Sequence, residues 1–333
     1  MKLGFYYHVP VFKKNKRDLF IPAYLGVFID ELAKNVEELH LFAHETTYSS
    51  YLGNSFILKS KNIVWINLGK KKSFIKRGIL GKSLLKKFIV EASLCDIILV
   101  RAPSPLAPYF YSCFNNITKI SFLMVGDYVI GQKFLKVNLF KKMISWIFIK
   151  VNEKQQNDAI KKCLTFVNSK LLFQKYKNKS LKLVEVKTTT LTEQDFFSRE
   201  DTCKNSIIQL LYTGRLDMSK GILELLLACQ LLSKDNIDYR LNIVGWEENI
   251  KSPVENFIKV KSDELGIKDH VIMHGKKEAG FELNKMYQFA DIYILPSYHE
   301  GFPRTIWEAM ANCLPVISTN VGSIPYYLKN EKH

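Results

Sequence analysis

The sequence predicts an α/β protein made of two tandem, doubly wound Rossmann-like domains. Three observations point there. The length, 333 residues, suits two domains of ordinary size. Short β-prone apolar runs alternate with longer amphipathic stretches. That alternation breaks once, near residues 188–206, and then restarts.

In the first half the expected strands are Lys2–Tyr7, Glu38–Ala43, Asn62–Asn67, Cys95–Val100, Lys119–Val125, Leu164–Asn168 and Leu181–Lys187. Near-continuous apolar strands separated by helical patterns indicate a parallel sheet covered on both faces. A helix is expected from near Pro22 to about Lys34, since proline is tolerated in a first turn. The break carries Thr188-Thr189-Thr190 and then Ser198-Arg199-Glu200-Asp201-Thr202, which fit neither period. It sets the expected boundaries: a domain over 1–189, a linker over 190–206 and a second domain over 207–333. Strands then recur at Ile207–Thr213, Tyr239–Val244, Val271–His274, Asp291–Leu295 and Pro315–Ser318. Helices are expected at Ile222–Ser233, Val254–Leu265, Glu282–Ala290 and Thr305–Asn312. The given sequence stops soon after the turn Asn320-Val321-Gly322-Ser323, so the second domain is expected to be incomplete.

Composition narrows the function classes. Apolar residues make up 47% and aromatics 13%, enough to build cores and unlike a disordered chain. Residues 1–206 hold 34 Lys and Arg against 16 Asp and Glu, a balance of +18, whereas 207–333 hold 14 against 16, a balance of −2. Only 7 of the 48 cations are arginine. Arginine is the usual bidentate reader of guanine, so no nucleic-acid partner is expected. A lysine-rich half suits an anionic lipid or polymer surface. The six cysteines lack metal-ligand spacing and read as reduced thiols in a cytosol. No signal-peptide pattern and no run of about 18 apolar residues is visible.

Gly81-Lys82-Ser83 resembles the end of a phosphate-binding loop, but the required first glycine is Lys76 and no strand precedes it. A better candidate opens the second domain, where a strand leads into Gly214-Arg215-Leu216-Asp217-Met218-Ser219-Lys220-Gly221 and then a helix. Backbone amides and the helix dipole favour an anion there. Arg215 offers a planar fork and Lys220 a point charge. A solvent-exposed loop with two surface cations explains the same residues. Glu300 follows the strand Asp291–Leu295, at the carboxyl end where open α/β sheets bind ligands. Glu308 falls in the next helix, where a carboxylate can accept both hydroxyls of a ribose. Gly301 permits close backbone approach to a sugar. Two surface glutamates are the plainer reading of this pair.

Taken together, Gly214-Arg215-Leu216 with Lys220-Gly221, and Glu300 with Glu308 within Pro296-Ser297-Tyr298-His299-Glu300-Gly301-Phe302-Pro303, resemble family 4 glycosyltransferases, the retaining GT-B enzymes. Val271–Gly275 and Ala290–Ser297 also resemble strands of that family. The likeness is specific over roughly 207–325 and weaker over 1–200.

The resemblance implies a nucleoside-diphosphate-sugar donor held without a metal or other cofactor. Arg215 and Lys220 would hold the diphosphate beside Gly214, and Glu308 the ribose. Glu300, with the amides of Gly301 and Phe302, would hold the sugar, and the turn after Gly275 would line the base. The family usually carries a glycine pair in the first acceptor loop, where this sequence has Gly26 alone. It often has a histidine where this sequence reads Gly126-Asp127-Tyr128, so Asp127 is the positional substitute. His8 and Arg101 follow expected strands and are further candidates, His8 for catalysis and Arg101 for the acceptor side.

The basic half contains two amphipathic stretches. Leu80, Leu84, Leu85 and Phe88 share a helical face that avoids Lys82, Lys86 and Lys87. Residues 132–151 interleave Phe134, Phe140, Ile144, Trp146, Ile147 and Phe148 with Lys133, Lys136, Lys141 and Lys142. Such helices suit an anionic bilayer, although core helices with solvated lysines explain the apolar faces too. The expected function is transfer of a sugar to a glycan or polyprenyl-linked glycan in bacterial surface polysaccharide assembly. The expected place is the cytoplasmic side of the membrane, peripherally bound. The alternatives are a nucleotide-sugar epimerase or hydrolase, or a catalytically silent glycan- or membrane-binding protein.

Overall fold

The computed structural model describes residues 1–14, 18–47, 55–128, 139–187, 191, 193–200, 203, 205–247, 253–277, 280–301 and 303–330. Two compact units emerge, Met1–Thr188 and Thr189–His333.

The first unit contains β1 (Lys2–Lys13), β2 (Leu19–Pro22), α1 (Ala23–Lys34), β3 (Glu38–Glu45), β4 (Ser55–Ile57), β5 (Ile63–Lys70), α2 (Phe74–Leu85) and α3 (Ile89–Ser93). It continues with β6 (Ile97–Ala102), α4 (Ala107–Phe114), β7 (Lys119–Met124), α5 (Leu139–Ile160), β8 (Leu164–Val167), α6 (Lys170–Tyr176) and β9 (Lys182–Glu185). Seven strands pair in parallel in the order β5-β3-β1-β6-β7-β8-β9. Chain direction across the sheet therefore reverses between β1 and β6. Successive side chains point to opposite faces of a strand. Phe5 and Tyr6 of β1 are both fully buried, so helices cover both faces. Phe5 packs in a cluster with Leu25 and Ile29 of α1. Tyr6 packs with Phe42, Phe110 and Phe122.

The strands β2 and β4 escape the sequence reading. They form an antiparallel annex, β2 on β1 and β4 on β2. At four and three residues they are too short to show a period. β1 also runs on to Lys13, past the expected end at Tyr7, because it leaves β6 after Tyr6 and turns to pair with β2.

The second unit contains β10 (Ile208–Arg215), α7 (Ile222–Lys234), β11 (Tyr239–Trp246), α8 (Pro253–Glu264), β12 (Val271–Gly275), α9 (Phe281–Phe289), β13 (Ile292–Leu295), α10 (Arg304–Ala311), β14 (Val316–Ser318) and α11 (Ile324–Tyr327). All five strands are parallel, in the order β12-β11-β10-β13-β14. The reversal falls between β10 and β13. The patternless segment before β10 is tied down by hydrogen bonds that no periodicity could show. Arg199 donates to the carbonyls of Tyr287, Ala290 and Asn312 at 2.7, 2.6 and 2.9 Å. These lie at the carboxyl ends of α9 and α10, where a cation opposes the negative end of each helix dipole.

Candidate functional site

In doubly wound sheets ligands bind beyond the carboxyl ends of the strands, where strand order reverses. In the second unit that point is flanked by the loop after β10 and the loop after β13. The first carries Arg215 and Lys220, the second Glu300.

Three contacts knit these loops together. Gly221 has φ +70°, and a Cβ built on it would lie 2.0 Å from the Pro296 carbonyl oxygen, so only glycine fits. The amide of Tyr298 donates to the Ser219 carbonyl at 2.9 Å. Lys220 Nζ lies 2.6 Å from Glu300 Oε1, which also accepts from Ser297 Oγ at 2.7 Å. Glu300 is only 9% exposed, and Ser297 is fully buried. Gly322 sits behind the loop with φ +58°, where a Cβ would lie 1.9 Å from the Glu300 carbonyl oxygen. The Glu300 peptide is thus held from both sides.

Lys220 and Glu300, 80 residues apart, are brought together. Arg215 is exposed at the end of β10, and its carbonyl accepts from Tyr212 Oη at 2.9 Å. Asp217 caps the turn by accepting from the Ser219 amide at 2.8 Å. Burial raises the Asp217 carboxyl pKa, but the Ser219 hydrogen bonds and the nearby Arg215 and Lys220 outweigh it and leave the pKa lowered. Gly214 ends β10 against Gly245 of β11, where a Cβ on Gly245 would lie 2.0 Å from the Gly214 carbonyl oxygen.

Glu308 lies on α10 and points inward. Its Oε2 accepts from Tyr287 Oη at 2.9 Å, and Tyr287 Oη is 2.6 Å from Thr213 Oγ1 at the end of β10. Burial raises its carboxyl pKa, while the Tyr287 hydrogen bond and Arg304 pull it down. Gly275 ends β12 with φ +64° and no atom within 4 Å of its would-be Cβ. Gly301 is equally open on that side, and its carbonyl accepts from the Ser323 amide at 3.3 Å. Phe302 lies outside the described residues. Ser297, Gly322, Tyr287 and Thr213 were not singled out from sequence. The Pro-Ser and Val-Gly-Ser turns holding two of them were the available signal.

In the first unit His8 is mostly buried beside Tyr7, with ring centroids 4.2 Å apart. Burial, then Lys71, Arg77, Arg101 and His44, push its pKa down to about 3, so the imidazole is neutral at pH 7. Arg101 stacks over the Tyr7 ring at 4.5 Å and faces the Phe28 ring at 5.9 Å. Asp127 is ion-paired: its Oδ2 lies 2.7 Å from Lys175 Nζ, which also meets Glu153 Oε1 at 2.7 Å. Burial disfavours the Lys175 ammonium, yet Asp127 and Glu153 raise its pKa overall. Asp127 therefore serves the packing of α6 at least as much as any chemistry. Gly26 is not an open loop glycine. It lies buried in α1, and a Cβ there would fall 2.2 Å from the Phe56 ring of β4. Close helix–strand approach is a structural reason for this glycine that needs no acceptor.

Two Rossmann-like units in one chain define the GT-B fold, and known proteins agree. Sucrose-phosphate synthase from Thermosynechococcus elongatus superposes with a TM-score of 0.71 at 16% identity, over 99% of this chain and 84% of that one. Anabaena Alr3699/HepE, solved in complex with UDP, superposes at 0.70 with 14% identity, over 99% and 84%. Residues 194–333 match the family model for glycosyl transferases group 1. WcaL of Escherichia coli (strain K12), a glycosyltransferase named for colanic acid biosynthesis, is 29% identical over 134 residues. That stretch takes in 38% of this chain and 31% of WcaL. The chain spans less than a third of the length of the curated relatives it matches.

Proposed function

We propose that the protein is a retaining glycosyltransferase that moves a hexose or N-acetylhexosamine from a nucleoside-diphosphate-sugar to a glycan acceptor, polyprenyl-linked or free. The observation that carries this reading is the pair of interlocked loops at the β10–β13 reversal. They put a cation, a buried carboxylate and free backbone approach at one point. In the transfer, the bond from the anomeric carbon to the diphosphate oxygen breaks. A bond to the acceptor hydroxyl oxygen forms on the same face, and the hydroxyl proton passes to the departing phosphate. Arg215 and Lys220 would stabilise the negative charge that grows on that phosphate, in place of a metal. Lys220 already contacts Glu300, so a bound diphosphate would share this ammonium with the carboxylate. Glu300 then orients the sugar, Glu308 the ribose, and the turn after Gly275 the base. His8, held down at about 3, is too weak a base to compete with the phosphate for the hydroxyl proton. The relationship to WcaL supports surface polysaccharide assembly as the setting.

The test is incubation with a panel of nucleotide sugars and glycan acceptors, with and without a chelator. Products are scored by mass and by the anomeric configuration of the new linkage. Retention of configuration, unaffected by chelator, is the expected result. An inverted product, or hydrolysis alone, removes this reading.

Exposed apolar side chains favour a membrane-peripheral setting on the cytoplasmic side. Val90 is 70% exposed, Ile79 69%, and Trp146 and Ile147 51% each, among the exposed Lys82, Lys86 and Lys87. Phe148 is not among them. Its ring packs where a Cβ on Gly78 would stand, docking α5 on α2. Phe88 is likewise half-buried against the core. Residues 132–138 lie outside the described residues. Among the described residues no helix is long and apolar enough to cross a membrane.

A further inference from the structure

The first unit has its own reversal point, between β1 and β6, and basic side chains, two of them neutral histidines, gather near it from four strands or the segments that follow them. His8 lies on β1, His44 near the carboxyl end of β3, Lys71 just after β5 and Arg101 near the end of β6. Arg77 comes from the first turn of α2. Its side chain is 8% exposed, yet Nε and Nη1 are buried with no hydrogen-bond partner in the protein. His8 Nδ1 and His44 Nε2 are buried and unpartnered as well. The charged or titratable groups that bear on His44 are Arg77 and Lys71, and those on His8 are Lys71, Arg77, Arg101 and His44. None of these is an anion. Tyr6 and Tyr128 stand nearby, both feeling the Arg77 charge, and Tyr6 Oη is already 2.6 Å from Ser104 Oγ. A buried guanidinium with unsatisfied donors and like-charged neighbours is costly unless an anion completes it.

We propose that Arg77, His8 and His44 form an oxyanion site that takes a phosphate or carboxylate group of the acceptor. Assigning the anion to the acceptor rests on the transferase reading; the anion site itself does not. Arg77 keeps two buried donors, Nε and Nη1, without a protein partner, and either can meet an anionic oxygen. His44 Nδ1 is 3.2 Å from the Gly69 carbonyl, an acceptor only, so Nδ1 carries the proton and Nε2 of the neutral ring is bare. His44 therefore donates to the anion only once protonated, and anion binding and proton uptake are coupled. Burial and the neighbouring cations hold His44 down at about 4. Neutralising those cations reverses part of that effect.

The test follows the histidine ring signals of the full-length protein by NMR across pH, with signals assigned from His8→Asn and His44→Asn. Inorganic phosphate, glucuronate and, as a neutral control, glucose are added separately. Either anion is expected to raise the His44 midpoint by about one pH unit, equal to about tenfold tighter anion binding by the protonated form. A larger response to phosphate identifies a phosphoester acceptor, and to glucuronate an acidic sugar. Arg77→Gln should abolish the response, while Arg77→Lys, which keeps the charge, should retain it at weaker affinity. Should Arg77→Gln fail to fold, the wild-type titration and Arg77→Lys decide. Unmoved midpoints for both His8 and His44, or changes confined to His270 and His274 of the second unit, overturn the proposal. Donor turnover is measured separately, so loss of the transferase reading leaves this result interpretable.

Discussion

Gly221→Ala tests whether the interlocked loops create the site. The new Cβ would start 2.0 Å from the Pro296 carbonyl oxygen, whereas real Cβ atoms essentially never come within 3.0 Å of such an atom. One loop must therefore retreat by 1 Å or more. The φ of +70° adds left-handed strain of about 1–2 kcal/mol for a residue with a side chain. Forcing a well-packed contact apart costs about 1–3 kcal/mol more. The combined loss is about 2–5 kcal/mol, or a fall of roughly 5–15 °C in the melting of a unit this size. Because Lys220 is the adjacent residue, the retreat also lengthens its 2.6 Å contact with Glu300. A misplacement of about 1 Å near reacting groups can cost about 100-fold in rate. Gly266→Ala is the control: φ is +68° but no atom lies within 4 Å, so only the strain remains. Thermal melting followed by donor turnover, below the lower of the two melting temperatures, separates the effects. If Gly221→Ala melts and turns over like Gly266→Ala, the interlock is not what builds the site.

Arg215→Ala and Lys220→Ala should each weaken binding of a nucleoside diphosphate and cut turnover at least tenfold; near-normal turnover in both removes the clamp. Glu308→Gln should raise KM for the donor more than it lowers kcat, and Glu300→Gln should mainly lower kcat. Equal, small effects on both parameters would return the two glutamates to structural roles. His8 and His44, held at about 3 and 4 in the native state against an ordinary 6.5, bind protons first in the unfolded chain. Stability of the first unit should therefore fall as pH drops below about 6.5 and level off below about 3–4, with a slope of up to about 1.4 kcal/mol per pH unit for each histidine. His8→Asn and His44→Asn should flatten that slope in urea titrations, and an unchanged slope would contradict the burial argument. Vesicles containing anionic lipid should capture the protein and release it as salt rises, since each cation near the surface contributes about 1 kcal/mol that decays within a Debye length. Changing Lys82, Lys86 and Lys87 to Glu should reduce capture with little change in melting, whereas equal binding to neutral and anionic vesicles would sink the electrostatic account.

The frame was readable because the central parallel strands, such as β3, β7 and β11, are buried on both faces and so stand out as apolar runs between helical patterns. The strands of the second unit begin and end within two residues of expectation. The edge pieces Leu19–Pro22 and Ser55–Ile57 were not readable, being too short to carry a period. Of the site, the loop after β10 was legible through its glycines and cations. Its partnership with Glu300 across 80 residues rested on family resemblance. The packing role of Gly26 was not legible, because Phe56, which its bare backbone makes room for, lies in a strand too short to read. The ion pair of Asp127 was not legible because its partner Lys175 is 48 residues away on another element. Arg77 was invisible for the opposite reason. In a lysine-rich stretch it reads as one more surface cation, and only the fold shows it buried with its charge bearing on His8 and His44.

The central claim is that the second unit grips a nucleoside diphosphate where strand order reverses between β10 and β13. A crystal structure of the protein with whichever nucleoside diphosphate most raises its melting temperature tests this most directly. The account predicts phosphates against the Gly214–Gly221 loop, with Arg215 and Lys220 on their oxygens and Glu308 on the ribose. A nucleotide bound elsewhere in the protein, or phosphates held by neither cation, would contradict it.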